Sequence, residues 1–477
     1  MIILILAVAA ILRLIVSGQS LWLDEAINVN NAANLGFKTL IFDYSLGDFH
    51  PPFYHIILRA WILMFGSSEI VVRMPSVIFG VATVFVTYLI GKKLFEEKTA
   101  LIAATLLSTG PLHIYYSQEA RMYMLAGLLA SLSVFFFVSI IAKDTVWSWL
   151  GFVIATSLML YSDYLPYLLI VVFIIYLFIR RKQIPKATFR AFLPAFILIL
   201  ILWTPWLLVL PKQLAVGLSA AAASPAWSYV VGAPTIKGFL VTFVKFTIGR
   251  INYQNDLIYA LLFAPAAIFV VFLFLFSLFR MSFQRFFLWF WVFGCLFLGF
   301  MVSFFVPIFA YFRFVFVLPA FYLIWASTIN TVNWVSLTRV LLGLALIINL
   351  VSASLYFVNP KFQRENWRMA TSYVIGNSTA KSIILFESPY TFAPFDYYAK
   401  GKINGAGALD SFNADQSKVK EKVTFLTRDK NHVFLFQYLS QITDPQGLVF
   451  KELTNLGFSN LKTKDFEGVG FIYEFRR

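Results

Sequence analysis

The stretch 257–279, LIYALLFAPAAIFVVFLFLFSLF, runs for 23 residues without a charge, between Asp256 and Arg280. A helix needs roughly 20 apolar residues to cross the hydrocarbon of a bilayer, whereas a barrel strand needs about 10 of alternating polarity. The stretch therefore reads as a membrane-spanning helix. Comparable runs recur on both sides of it, over 1–17, 74–91, 99–116, 122–142, 147–162, 166–180, 190–210, 286–306, 313–330 and 338–357. Together they predict about eleven crossings in an all-α polytopic bundle. The whole chain has 477 residues, of which 60% are hydrophobic and 13% charged. No water-soluble globule hides that much apolar surface.

A formal net charge of +15 would suggest nucleic acid in a soluble protein, but here its distribution matters more than its sum. The basic excess collects on alternate loops: Lys92, Lys93 and Lys98; Arg180, Arg181, Lys182, Lys186 and Arg190; Arg280 and Arg285; Arg339. The positive-inside rule makes those loops cytoplasmic. It predicts a multi-pass cell-membrane protein with its N-terminus inside, no nucleic-acid partner, and everything after the last span outside. The first apolar run lacks a basic leader and a small-residue cleavage site, so it reads as a retained span. Cys295, the single cysteine, lies in an apolar run and reads as a core residue.

Three segments depart from plain spans. The polar and aromatic segment 17–73 falls outside and carries Asp24, Glu25, Asp43, Asp48 and Glu69. The stretch 211–256, rich in Ala, Ser, Gly and Pro, suggests an external mobile loop with a short helix. From Lys361 the pattern becomes that of a soluble α/β domain. Strand-like runs at 382–387, 423–427, 432–438 and 470–475 alternate with helix-like runs near 364–377, 414–422 and 446–456. The predicted division is a membrane module over 1–360, with 17–73 as an external segment, and an extracytoplasmic domain over 361–477.

Ionisable groups beside membrane spans are expensive and are functional candidates by default. They converge on the outer side: Asp24-Glu25, His50-Pro51-Pro52, Arg59, Arg73, the run Tyr115 to Tyr123 with Glu119 and Arg121, Asp163 and Arg313. A partly shielded carboxylate such as Asp24 suits a general base; otherwise the acidic pair simply favours a helix N-terminus. Ser117 is placed to cap the fourth span, with Glu119 and Arg121 in its first turns. Arg121 then binds a phosphate with its guanidinium fork, or pairs with Glu119 or Asp24. Arg313 is an outer cation or a snorkelling anchor. His50 meets a phosphate or anchors its loop, and Pro52 stands near the start of a helix. The four histidines are too scattered for a zinc signature, and Asp24, Glu25 and Glu119 hold a divalent ion only if the fold collects them. No cofactor is otherwise called for.

The runs Trp22-Leu23-Asp24-Glu25-Ala26, His50-Pro51-Pro52-Phe53-Tyr54 with Leu58-Arg59 and Arg73-Met74-Pro75-Ser76, and Tyr116-Ser117-Gln118-Glu119-Ala120-Arg121-Met122-Tyr123 together resemble the membrane glycosyltransferases of the GT-C class. The resemblance points to glycosyltransferase family 39, the dolichyl-phosphate-mannose-protein mannosyltransferases. Within it the prokaryotic branch is nearest, the group that includes the lipid A aminoarabinose transferases. It covers roughly the first 125 residues, and more loosely Tyr311 to Pro319. It implies a GT-C fold, a sugar donor linked to polyprenyl phosphate, and an external active site in the first loop. Asp24 is then the catalytic base, and Glu25 supports the loop or the base. Arg121, Arg313, His50 and Arg59 are implied for the donor phosphate, and Glu119, Tyr116, Tyr123 and Asp163 for the substrate pocket.

The implied reaction is an inverting transfer to a lipid, glycan or protein acceptor among membrane lipids. Relatives often carry Tyr-x-His-Tyr where this chain has Tyr161-Ser162-Asp163-Tyr164, which bears on acceptor or sugar preference. The aminoarabinose branch commonly has a lysine before the Pro-Pro pair; His50 stands there instead and argues against that sugar. The rival classes are a polytopic transporter, which predicts internal repeats and broken helices at mid-membrane, and a lipid-binding scaffold, in which the Asp24 segment is dispensable.

Overall fold

The structure, a computed structural model, describes residues 1–223, 232–253, 255–412 and 414–477. Seven of the described helices are long and apolar enough to cross a membrane: Glu69–Leu94, Tyr123–Ala142, Lys186–Leu207, Asp256–Phe279, Phe283–Val302, Tyr311–Asn330 and Val335–Val358. The chain is a multi-pass membrane protein. Seven rather than eleven helices reach that length, because the other four expected spans are shorter pieces. Ile2–Leu14, Val146–Leu160 and Tyr167–Arg180 have 13, 15 and 14 residues. The expected span 99–116 is split into Glu97–Thr109 and Pro111–Ser117 at Gly110. Pro111 offers no amide to continue the first helix, and a Cβ on Gly110 would meet the Tyr322 hydroxyl at 2.8 Å.

The expected mobile loop over 211–256 falls partly on 224–231 and 254, outside the described residues. Most of its remainder is helical, 211–223 within the helix Leu210–Ala223 and 236–248 as the helix Ile236–Ile248.

By compactness the described chain forms two units, one of Met1–Ser17, Leu35–Ser219 and Ser228–Phe362, the other holding Gly18–Asn34 and Gln363–Arg477 with a short piece beginning at Ala220. In the first, Tyr311–Asn330 is the most enclosed span, with 89% of its apolar window buried, against 22% for Lys186–Leu207. The former is the centre of the bundle and the latter presents its apolar side chains outward, as lipid contact requires. Arg13 lies wholly buried among the helices. Its guanidinium donates to Ser117 Oγ (3.1 Å) and to the carbonyls of Ala9 (2.8 Å) and Ser108 (3.1 Å), and it meets His113 Nδ1 at 2.6 Å. These bonds tie three helical pieces together without a counter-ion among them. Just beyond, Val16 has φ 53°, a costly conformation for a β-branched residue. Gln118 Nε2 holds that turn by donating to the carbonyls of Arg13 (3.0 Å) and Ile15.

The second unit contains a five-stranded sheet, β1 (Ser382–Phe386), β2 (Gly405–Gly407), β3 (His432–Phe436), β4 (Ser459–Phe466) and β5 (Gly470–Arg476), in the order β2-β1-β3-β5-β4. The first three strands are parallel and the last two antiparallel. The run 423–427, expected as a strand, is the end of the helix Gln416–Thr427. Asp415 caps that helix by accepting from the amides of Ser417 and Lys418, and Val419, Val423 and Thr427 give it a buried stripe at a spacing of four. β4, sequence SNLKTKDF, was not expected. Seven of its eight residues are exposed, so as an edge strand it carries no apolar alternation to read.

One face of the sheet packs Trp367, Phe386, Phe395 and Phe436. Leu23 packs on this same cluster, because the helix Leu23–Asn34 belongs to this unit. Leu21 N–H donates to the Tyr398 hydroxyl (2.8 Å) and Asn30 Nδ2 to the Ala393 carbonyl (2.9 Å), fixing both ends of that helix.

Candidate active site

In the membrane unit His50, Glu119, Arg121 and Asp163 sit on connectors, and Arg59, Tyr116, Tyr123 and Arg313 in helical segments. Ser117 closes the helix Pro111–Ser117, and the next helix, Tyr123–Ala142, begins without a side-chain cap. Ser117 is thus not the expected cap: its hydroxyl donates to the His113 carbonyl (2.6 Å) and serves Arg13. Glu119 and Arg121 lie in the link between the two helices, where neither is committed to helical spacing.

Around that link stands an aromatic group with cations at its rim. Tyr116 stacks on Phe312 (6.0 Å between ring centres) and meets Tyr123 edge-on (5.1 Å). Arg121 lies over Tyr123 (5.9 Å), Arg313 beside Phe312 (5.9 Å) and Lys245 near Tyr311 (5.8 Å). Arg250 stands over Tyr115 (5.0 Å) and donates to its hydroxyl (2.9 Å). Burial works against the charge of Arg250, but Tyr115, Tyr311, Tyr116 and Glu119 outweigh it and hold its pKa above the ordinary guanidinium range. Lys245 and Arg250 were not singled out from sequence. Their signal was available: two cations five residues apart in a segment predicted to be external.

Next to Arg121 lies a third residue not singled out, Asp48. Its carboxylate accepts from His55 Nε2 (3.0 Å) and Tyr44 OH (3.1 Å), lies 3.2 Å from His50 Nδ1 and is 3.9 Å from Arg121 Nη1. Burial would raise its pKa, but His55 and His50 overrule it and hold Asp48 well below the usual carboxylate range. The link between Asp48 and His50 is Phe49, with φ 60°, so the backbone bends through the left-handed region to bring His50 Nδ1 back onto the Asp48 carbonyl (2.7 Å). Gln213 Nε2 supports the bend by donating to the carbonyls of Ser45 (2.7 Å) and His50 (3.3 Å).

Asp163 joins this group from the turn after Val146–Leu160. Burial pushes its carboxyl upward against the pull of His50, the Tyr164 amide, Arg313 and Arg121. The structure therefore brings His50, Tyr116, Glu119, Arg121, Tyr123, Asp163 and Arg313 into one neighbourhood. Arg59 lies over the Phe37 ring at 5.2 Å. Arg73 is structural: it is buried and donates to the Ser17 carbonyl (2.7 Å).

Asp24 and Glu25 belong to the second unit, in the first turn of Leu23–Asn34. Glu25 is buried and Asp24 half-buried. Asp24 shares its surroundings with Glu365 and Tyr438. Among the described residues, no three His, Cys, Asp or Glu side chains are grouped to hold a metal ion.

Residues 49–209 match the family model of the dolichyl-phosphate-mannose-protein mannosyltransferases. The match takes in His50, Glu119, Arg121 and Asp163 and leaves out Asp24. No curated protein matches the chain in sequence. Among solved structures, the chain is similar to ArnT from Cupriavidus metallidurans in the apo state, at a TM-score of 0.57 and 11% identity, over 99% of this chain and 97% of that one. It is similar to the same protein bound to undecaprenyl phosphate, at a TM-score of 0.56, 11% identity and the same coverage. It is also similar to the archaeal oligosaccharyltransferase AglB from Archaeoglobus fulgidus in complex with an inhibitory peptide and a dolichol-phosphate. There the TM-score is 0.55 and the identity 13%, over 91% of this chain and 69% of that one. The fold is the GT-C fold, and the resemblance carried by the motifs is borne out.

Proposed function

We propose that the chain is a glycosyltransferase that draws a sugar from a polyprenyl-phosphate carrier and transfers it to an acceptor hydroxyl on the outer face of the membrane. The observation that carries this reading is the rim of Arg121, Arg250, Arg313 and Lys245 around Tyr115, Tyr116, Tyr123, Tyr311 and Phe312. Guanidinium forks beside apolar and aromatic surface suit a ligand with a phosphate head and a hydrocarbon tail. The similar ArnT binds undecaprenyl phosphate and AglB a dolichol-phosphate, which supports the same class of ligand here.

In the proposed reaction Asp24 takes the proton of the acceptor hydroxyl, the oxygen attacks the anomeric carbon, and polyprenyl phosphate leaves with inversion. Negative charge grows on the departing phosphate. Arg121 and Arg313, with Arg250, are assigned to stabilise it, His50 to orient it, and Arg59 to a peripheral contact. Tyr116 and Tyr123 line the donor side, and Glu119 and Asp163 hold the cations and sugar in place. Glu25 supports the Asp24 turn. Asp48, already saturated by His50, His55, Tyr44 and Arg121, is assigned to fixing those groups rather than to taking protons.

The test supplies membranes containing the protein with a panel of radiolabelled polyprenyl-phosphate sugars and follows labelled product. Asp24→Asn should lower transfer by about 10²–10⁴-fold while the protein stays folded. Unchanged transfer would remove Asp24 from the role of base, and no transfer by wild type from any donor would remove the reading itself.

A further inference from the structure

Within the second unit, the stretch just before the helix Trp367–Asn377 meets the start of the helix that carries Asp24. Glu365 accepts from Trp367 Nε1 (2.8 Å) and from the Tyr438 hydroxyl (2.9 Å), and it takes the backbone N–H of Leu23, the residue preceding Asp24. Leu23 begins its helix, so this is one of the first-turn amides that no carbonyl of the helix itself can satisfy. Gly468 in the β4–β5 turn closes the other side: a Cβ there would meet Glu365 Cγ at 2.9 Å. The carboxyl is thus clamped by an indole, a phenol and an amide. It has no need of Asp24 as a neighbour for its own hydrogen bonding.

We propose that Glu365 is a positioning residue for Asp24: it fixes the turn on which Asp24 stands, and its own gain or loss of a proton sets how strong a base Asp24 is. The inference rests on the reading of Asp24 as base. Two carboxyls in one neighbourhood titrate as a pair. Burial first, and then the Asp24 charge, push Glu365 up to about 7, against the bonds from Trp367, Tyr438 and Leu23. Below that point Glu365 holds a proton and puts no charge beside Asp24. Above it both are charged, and repulsion makes Asp24 a stronger proton acceptor. The other charged or titratable groups of the surrounding elements are Glu25 next to Asp24, Arg364 and Arg368 on the same stretch as Glu365, Tyr398, Glu467 beside Gly468, and Tyr438, whose proton burial and Glu365 hold on above the ordinary phenol range.

The experiment uses the full-length protein in lipid nanodiscs. Infrared spectra taken across pH, with those of Glu365→Gln subtracted, isolate the carboxyl of Glu365. Its protonated band should vanish near neutral pH in wild type and at lower pH in Asp24→Asn, because the charge that raises it is gone. A midpoint that does not move in Asp24→Asn overturns the coupling, whatever the fate of Asp24 as base.

Transfer supplies the second readout, with whichever radiolabelled donor wild type uses. Wild-type kcat should rise about three- to tenfold through neutral pH, Glu365→Gln should flatten that step, and Glu365→Asp should restore part of it. A Glu365→Gln protein that loses stability yet keeps the wild-type pH profile overturns the proposal and leaves Glu365 a structural clamp. If Asp24→Asn transfers normally while the infrared midpoint still shifts, the reading of Asp24 as base fails and the pairing of the two carboxyls survives.

Discussion

Asp48 in the membrane unit and Glu365 in the C-terminal unit are both carboxyls drawn out of water, and they are driven in opposite directions. Asp48 sits among His50, His55 and Arg121 and is held well below the usual range; Glu365 has neutral donors and an anionic neighbour and is pushed up to about 7. Burial raises both, so the difference comes from the company each keeps. A carboxylate held by two imidazoles and a guanidinium is a fixed charge that orients others. One that faces another acid is a proton reservoir.

The largest effect expected on this contrast is at Asp24, the anion Glu365 faces, where Asp24→Asn should remove transfer as described above. Next comes Asp48→Asn, which leaves His50, His55 and Arg121 without their anion and should cost about 1.5–3 kcal/mol in thermal unfolding of the purified protein. Because its pKa is lowered on folding, the stability Asp48 contributes is present above the ordinary carboxylate pKa and lost as pH falls through the lowered value. Wild type and variant should converge only in strong acid; a constant gap at every pH would show that the charge is not responsible.

Glu365 has the reverse sign. Its pKa is raised on folding from 4.5 to about 7, so wild-type stability should decline as pH rises through that window. Glu365→Gln should abolish the decline, a difference of about 1–3 kcal/mol at pH 8 by thermal unfolding. The smallest effect belongs to Arg59→Ala. Removing one cation from the Phe37 ring should cost about 0.5–1 kcal/mol and change transfer less than Arg121→Ala does. A larger loss of transfer than at Arg121 would reverse the ranking of the phosphate contacts.

The spans around 122–142, 257–279 and 338–357 were legible because a bilayer demands long uncharged runs, and β1, β3 and β5 because buried strands are made of Ile, Leu, Val and Phe. The legible signal failed where structure is settled by partners distant in sequence. Ser117 reads as a cap until Arg13, 104 residues away, claims its hydroxyl. Asp48 belongs to no motif, since its partners are two nearby histidines and an arginine 73 positions later. Lys462 and Lys464 give β4 the look of a loop because an edge strand has no buried face to advertise. The site followed the same rule. His50, Arg121, Asp163 and Arg313 stood out as charges beside spans, whereas Glu365 lay in a soluble stretch where a glutamate draws no attention.

The helix Leu23–Asn34 packs on Trp367, Tyr398 and Tyr438, whose synthesis comes more than 300 residues later. At about 5–20 residues per second this helix waits tens of seconds for its seat. During that interval the growing polypeptide already offers membrane helices to the bilayer but has no settled place for Asp24. A chain interrupted before Trp367, Tyr398 and Tyr438 are made leaves the turn of Asp24 without the side chains it packs on.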